Sequence, residues 1–122
     1  MAGDQQQSLP QEMLELVARR FRALGVPSRL RILNSLMQGP ATMTELKDST
    51  GLEQSNLSRQ VTELEREGCV RRTREGRGVR VEISDPTLRE LCALVCGAIQ
   101  AGRHPLGPQG ADLLGATGDQ LS

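Results

Sequence analysis

The chain has 122 residues with 15 basic and 15 acidic side chains, so its formal net charge is zero. This length predicts a single domain, and the even charge excludes a polybasic coat protein and an acidic disordered protein. Aromatic residues make up only 1% of the sequence, which argues against a reader of single-stranded nucleic acid and against a cofactor site walled by aromatic rings.

Cysteine usage and hydropathy predict the compartment. The three cysteines are odd in number and lack the spacing of a disulfide framework, so we expect reduced thiols in a cytoplasmic protein. The longest apolar stretches fall far short of the roughly 20 residues that a membrane span needs, so no membrane partner is expected.

Two helices are predicted in the first third of the chain. Apolar residues recur at helical spacing between Pro10 and Gly25, and again between Pro27 and Gly39. Residues 1–8, which precede them, are polar and rich in glutamine, and we expect this segment to be disordered.

A short helix and a longer helix follow. Thr42 is a suitable cap for the short third helix, which Gly51 ends. The fourth helix is predicted over Glu53–Glu67, with one apolar stripe. The stripe consists of Leu57, Val61 and Leu64. Two such helices joined by a tight turn predict a helix-turn-helix.

The hydrophobic period then changes from 3.6 to 2. Val70–Arg74 and Val79–Ile83 alternate like two strands, and the segment Glu75–Gly78 between them is a glycine-rich turn. The pattern predicts a β-hairpin.

The last predicted helix begins at Asp85 and Pro86, with Asp85 as the capping carboxylate, and reaches residue 101. Residues 102–122 are rich in Gly, Pro, Gln and Ala, and we expect a disordered tail. The predicted fold is therefore mainly α with a small β-hairpin. Residues 9–101 would form a winged helix-turn-helix in the order helix–helix–helix–helix–hairpin–helix, and the alternative is a generic small α+β domain.

The start of the fourth helix carries a cluster of polar side chains. When Leu57 and Val61 face the core, the polar residues lie outward or at the flanks. These residues are Gln54, Ser55, Asn56, Ser58, Arg59 and Gln60. Amide and guanidinium groups of this kind read base edges in the major groove, and recognition helices use their N-terminal residues for this purpose. The alternative is an ordinary solvated helix face.

The hairpin is strongly basic. Residues 71–80 contain five arginines and one glutamate, a local charge of +4 in a neutral chain. Arg74 and Arg77 flank the turn, where contact with DNA phosphates or the minor groove is expected. The alternative is an edge hairpin that its charges keep soluble.

The positions of the three cysteines indicate two different roles. Cys69 precedes the first strand and is expected to be a buried, inert thiol. Cys92 and Cys96 lie one turn apart on the fifth helix, where two thiolates could bind a soft metal ion or As(III) if a third ligand came from elsewhere. The alternative for this pair is two small apolar residues beside a dimer interface.

No enzyme signature is present. The only histidine, His104, lies outside every predicted element and cannot easily serve a Ser or Cys nucleophile. The sequence has no phosphate-binding glycine loop and no His/Glu metal motif, so we expect a protein that is not an enzyme.

Three segments resemble the ArsR/SmtB family of bacterial repressors. The matching segments are Pro27–Leu33 (PSRLRIL) in the second helix, Leu52–Val70 in the recognition segment and Arg74–Arg77 (REGR) in the wing. The resemblance implies a homodimer, held by the first and last helices, that represses transcription until an effector releases it from double-stranded DNA. A two-fold symmetric dimer would bind a near-palindromic operator. By the same resemblance, the DNA-reading positions are Ser55, Asn56, Ser58, Arg59 and Gln60, with Arg77 in the wing.

The chain departs from this family at its known sensor sites. The family's Cys-x-Cys-Asp-Leu metalloid motif is replaced by the thiol-free segment Thr42–Leu46, and its zinc motif Asp-x-His is replaced by Asp85–Thr87. An effector, a soft metal ion, metalloid or oxidant, would therefore act at Cys92 and Cys96. The alternatives are a regulator without metal sensing and a winged-helix module that binds proteins instead of DNA.

Overall fold

A computed structural model describes residues 9–102. Its elements in chain order are α1 (Gln11–Leu24), α2 (Pro27–Leu36), β1 (Ala41–Thr42), α3 (Met43–Thr50), α4 (Gln54–Arg66), β2 (Val70–Glu75), β3 (Gly78–Ile83) and α5 (Thr87–Gln100). All five predicted helices and the hairpin are confirmed, in the order of a winged helix-turn-helix. The disorder predicted for residues 1–8 and for the tail beyond Gly102 concerns segments outside the described residues, as does His104.

The chain divides into two compact units at Asp85 and Pro86, so that α5 belongs to the second unit. In the first unit, the apolar faces of α2, α3 and α4 pack against one another and against the sheet. The fully buried side chains there are Ile32, Leu33, Leu36, Leu46, Leu57, Val61, Leu64, Cys69, Val70 and Val81. Each buried aliphatic side chain contributes roughly 1.5–3 kcal/mol by leaving water, which fixes α4 with its polar side outward.

The short helix α3 is held by caps at both ends. The Thr42 hydroxyl accepts from the Glu45 N–H (3.1 Å), and the Glu45 carboxylate accepts from the Thr42 N–H (2.8 Å). This capping box satisfies two amide groups that the first turn leaves unpaired. At the other end, Gly51 adopts a left-handed conformation with a φ of 73°. The chain therefore turns sharply into α4.

The wing is the antiparallel pair β2–β3. Glu75 pairs with Gly78, so the turn contains only Gly76 and Arg77, and Gly76 has a φ of 61°. Tight two-residue hairpin turns require such positive φ values, which glycine adopts without steric cost. The turn places Arg77 at the tip of the hairpin.

A third strand was not predicted. Ala41 pairs with Val81 and Thr42 with Arg80, which extends the hairpin to a sheet of order β1-β3-β2. The prediction of a hairpin alone is therefore incomplete. A strand of two residues is too short for alternation of apolar and polar residues to be visible in the sequence.

The fifth helix starts at a proline, as predicted. Pro86 has helical φ and ψ values of −64° and −21° at the N-terminus of α5. The Asp85 carboxylate, whose role as the cap stays a prediction, lies 3.5 Å from Arg20. The sequence pattern does not reveal this ion pair, because Arg20 is distant in the sequence.

Within residues 9–102, no helix is long and apolar enough to cross a membrane.

Candidate nucleic-acid interface

The first two turns of α4 bring the predicted DNA-reading residues together. Opposite the buried stripe of this helix, Gln54, Ser55, Ser58 and Arg59 are exposed, while Asn56 and Gln60 are half-buried. Their DNA-reading role stays a prediction.

Two of these side chains are less free than expected. Asn56 Oδ1 accepts hydrogen bonds from Arg59 Nη2 (3.1 Å) and from Gln60 Nε2 (3.2 Å). Gln60 Oε1 in turn accepts from Arg29 Nε at 2.8 Å. Asn56 and Gln60 therefore belong to a hydrogen-bonded chain that begins on α2.

Arg29 also belongs to this site, although its role is not visible in the sequence. It is half-buried on α2, and its Nη1 also donates to the Ala23 carbonyl oxygen at 3.2 Å. Nothing in the sequence distinguishes it from other arginines, because its contact with Gln60 spans 31 residues. Only the packing of α2 on α4 reveals that it orients a side chain of the recognition helix.

The arginines of the wing fall into two groups. Three form ion pairs with carboxylates: Arg71 with Glu82 (2.8 Å), Arg72 with Glu65 (3.2 Å) and Arg80 with Glu75 (3.0 Å). Arg74 and Arg77 are exposed, and among the described residues they have no hydrogen bond or ion pair. Much of the local +4 charge is thus offset by neighbouring carboxylates. Within the wing, the cations available to an external anion are therefore Arg74 and Arg77, the two positions that the sequence predicted.

Arg72 joins the wing to the recognition helix. Besides the ion pair with Glu65, its Nη2 donates to Thr62 Oγ1 at 3.2 Å and lies 3.5 Å from the Ser58 carbonyl oxygen. In the sequence, Arg72 is recognisable only as one arginine of the basic wing. Its contacts fix the start of β2 against α4, so the wing and the recognition helix are held as one binding surface.

Cys69 is buried, as predicted. Burial raises the pKa of its thiol, and the guanidinium of Arg20, 3.1 Å from the sulfur, opposes that shift. A buried, protonated thiol is unreactive, which agrees with a packing role.

Cys92 and Cys96 lie one turn apart on α5, where Cys92 is half-buried and Cys96 is exposed. Burial raises the pKa of the Cys92 thiol, and the neighbouring Cys96 raises it further. Within the described part of the chain, no group of three His, Cys, Asp or Glu side chains could hold a metal ion. Two thiols alone do not complete a metal site, so a third ligand would have to come from outside these residues.

Sequence comparison identifies relatives that regulate transcription. The MarR family model matches residues 27–80. An uncharacterized HTH-type transcriptional regulator of Mycobacterium tuberculosis, Rv0081, is 39% identical over 83 residues, which cover 67% of this chain and 73% of that protein. A Streptomyces lividans protein named "Probable mercury resistance operon repressor" is 32% identical over 80 residues, 66% of this chain and 64% of that protein.

Solved structures give the same result. The crystal structure of Rv0081 has a TM-score of 0.67 and 30% identity, and the match covers 94% of this chain and all of that one. A homodimeric winged helix-turn-helix DNA-binding domain from Mycobacterium bovis, described as "a possible ArsR-family transcriptional regulator", has a TM-score of 0.64 and 30% identity, with 72% of this chain and 84% of that one covered. These proteins are transcriptional regulators and not enzymes, as the sequence analysis expected for this chain.

Proposed function

We propose that this chain, which belongs to the HTH-type transcriptional regulators, is a cytoplasmic, homodimeric repressor of the ArsR/SmtB type that binds a specific DNA sequence. The observation that carries the proposal is the surface formed by the N-terminal turns of α4 and the wing, joined through Arg72. It combines polar side chains suited to base edges with two unpaired arginines suited to phosphates.

In the proposed complex, α4 enters the major groove. Arg59 and Asn56, in its first two turns, read base edges, while Gln54, Ser55 and Ser58 contact bases or nearby phosphates. Arg74 and Arg77 contact the backbone or the adjacent minor groove from the tip of the wing.

Homodimer formation rests on apolar side chains that each unit leaves exposed. In α1, Leu16 is 60% exposed and Phe21 56% exposed, and in α5, Leu94 is 72% exposed. Several large apolar side chains left exposed on one helix are typical of an interface, and the solved M. bovis domain is homodimeric. A two-fold dimer presents two recognition helices, which fit a near-palindromic operator with half-sites about one helical turn apart.

For the effector, we propose a soft metal ion, metalloid or oxidant acting at Cys92 and Cys96. Their spacing on one side of α5 and the mercury resistance named for the S. lividans relative support this assignment. For a metal ion or metalloid, the partner subunit would supply the third thiol, whereas an oxidant such as peroxide would take two electrons and two protons from a pair of thiols and form a disulfide between the subunits. Either event would change the dimer interface and thereby the spacing of the two recognition helices. A coupling free energy of about 1–3 kcal/mol changes operator occupancy markedly.

Selection from a library of randomised duplex DNA tests the proposed function. The wild-type protein should enrich one near-palindromic sequence, and Arg59→Ala should relax base preference at one position in each half-site. A protein-interaction module would enrich no sequence, and that outcome would overturn the proposal.

A release experiment tests the effector. As(III), Hg(II), Zn(II) and peroxide are added to the complex of the reduced protein with the enriched duplex. The double variant Cys92→Ser, Cys96→Ser should bind the duplex normally but no longer be released. If every agent that releases the wild type also releases the double variant, the two cysteines are packing residues and the regulator does not sense through them.

A further inference from the structure

We infer that Arg29 determines the base preference of the recognition helix: acting through Gln60, it turns Asn56 so that only hydrogen-bond donors face the DNA. Asn56 then selects guanine over adenine at the position that it reads. The inference rests on the proposed DNA-binding function and adds to it the chemistry of one recognised base.

The direction of the hydrogen bonds follows from the two arginines that end this hydrogen-bonded series, Arg29 and Arg59. A guanidinium has only donors, so Gln60 must direct its carbonyl oxygen toward Arg29 Nε, 2.8 Å away. The amide nitrogen of Gln60 then faces Asn56, which must present its own oxygen at 3.2 Å. Arg59, also a pure donor, reaches the same Asn56 oxygen at 3.1 Å. Both outer groups therefore impose one orientation on Asn56.

This orientation occupies the acceptor capacity of Asn56. A carbonyl oxygen has two lone pairs, and Gln60 and Arg59 use both. What remains is the Nδ2 amide group with its two N–H donors. Arg59 likewise adds only donors.

A side chain that offers only hydrogen-bond donors can still distinguish the bases in the major groove, because the bases differ in their acceptors. Guanine presents two acceptors, N7 and O6, whereas adenine presents one, N7, and thymine one, O4, so only guanine can pair with two donors at once. Adenine is read by asparagine through a pair of bonds, one of which needs the Asn oxygen as acceptor for the N6 amino group. Because that oxygen is occupied, the usual pairing of asparagine with adenine is unavailable here. Cytosine, with its N4 donor, is disfavoured for the same reason.

Arg29 acts here as a positioning residue. It is half-buried on α2 and is also anchored by its bond to the Ala23 carbonyl oxygen. It affects base preference only through the amide side chains of Gln60 and Asn56. A change at Arg29 should therefore alter the base preference, which a purely structural role would not do.

The test is selection from randomised duplex DNA with wild type and four variants. Asn56→Ala identifies the position, because base preference is lost there. At that position, the wild type should prefer guanine over adenine by about tenfold, the size expected for a good base contact. Arg29→Met removes the donor that orients Gln60, so Gln60 no longer helps to hold the Asn56 oxygen, and the preference for guanine over adenine should fall severalfold. Arg31→Met, which removes an exposed arginine of the same helix, is the matched control and should keep the wild-type preference.

Gln60→Glu provides a second test that does not depend on Arg29. Its side chain offers only acceptors, so Asn56 must turn its amide nitrogen toward it and present its oxygen elsewhere, and the preference should shift toward adenine. This variant also decides the matter if Arg29→Met does not fold.

The outcomes separate this inference from the function on which it rests. Wild-type preference for adenine at the Asn56 position, no position affected by Asn56→Ala, or an unchanged preference in both Arg29→Met and Gln60→Glu would overturn the inference and leave the DNA-binding function standing. Failure of the wild type to enrich any sequence would overturn both.

Discussion

Pairing with a carboxylate distinguishes the individual arginines of the wing. Arg77 at the tip has no such partner in the described chain, whereas Arg71 is held by Glu82 at 2.8 Å. Arg77→Ala should weaken binding to all duplexes evenly and reduce the slope of log affinity against log salt by about one. Arg71→Ala, which removes the same charge from the same hairpin, should change that slope much less. Titrations by fluorescence anisotropy at several salt concentrations measure both, and equal effects of the two variants would contradict the assignment.

The reactivity of a single residue, the Cys92 thiol, should also depend on pH. Burial and the neighbouring Cys96 raise the pKa of Cys92, so little thiolate is present at neutral pH. Only the thiolate reacts, and its fraction rises about tenfold per pH unit below the pKa. Alkylation of Cys92, followed by mass spectrometry of its peptide, should accelerate accordingly between about pH 7 and 9. Binding of a soft metal should strengthen over the same range, because it displaces the proton. An alkylation rate independent of pH above neutrality would show that the thiolate already predominates there.

At the scale of the element, the cap of α3 makes a measurable contribution to stability. Thr42→Ala removes the hydroxyl that accepts from the Glu45 N–H, and should lower the free energy of unfolding by about 1 kcal/mol in a urea titration at neutral pH. Thr44→Ala, at an exposed position of the same helix, is the control.

The same cap should respond to acid. The hydrogen bonds from the Thr42 N–H and its side chain hold the pKa of Glu45 below its usual value. A carboxyl group whose pKa is lowered on folding stabilises the folded state above its unfolded pKa, and the effect is lost as pH falls through the folded value. The difference in stability between wild type and Glu45→Ala, which removes the titrating carboxylate, should therefore become smaller below about pH 4. A difference that does not change with pH would contradict this account of the cap.

The elements themselves could be predicted from the sequence, because their signals are local. Spacing of apolar residues, Gly51 at the end of α3 and the turn around Gly76 each act within a few residues. Contacts between elements could not be predicted. The bond from Arg29 to Gln60 and the contacts of Arg72 with α4 depend on how the helices and sheet pack. For the candidate site, the sequence therefore identified which residues lie on the surface, but not how they are oriented.

For the whole molecule, assembly is the next prediction. Leu16 lies on α1 and is 60% exposed, so Leu16→Glu should not disturb the protomer. In a dimer joined through this face, the carboxylate would be buried without a partner, which is costly. Sedimentation at micromolar concentration should show a dimer for the wild type and a monomer for Leu16→Glu. The control Gln11→Glu adds the same charge at an exposed polar position of α1 and should remain dimeric. A monomeric wild type would contradict the proposed assembly.

The central claim, sequence-specific binding to DNA, is tested most directly by one equilibrium measurement. The affinity of the wild-type protein for the enriched duplex is compared with its affinity for a scrambled duplex of the same composition, between about 50 and 200 mM salt. The account predicts that the enriched duplex binds at least about a thousandfold more tightly at physiological salt, and that both affinities fall as salt rises. Equal affinity for the two duplexes, or binding that salt does not weaken, would contradict it.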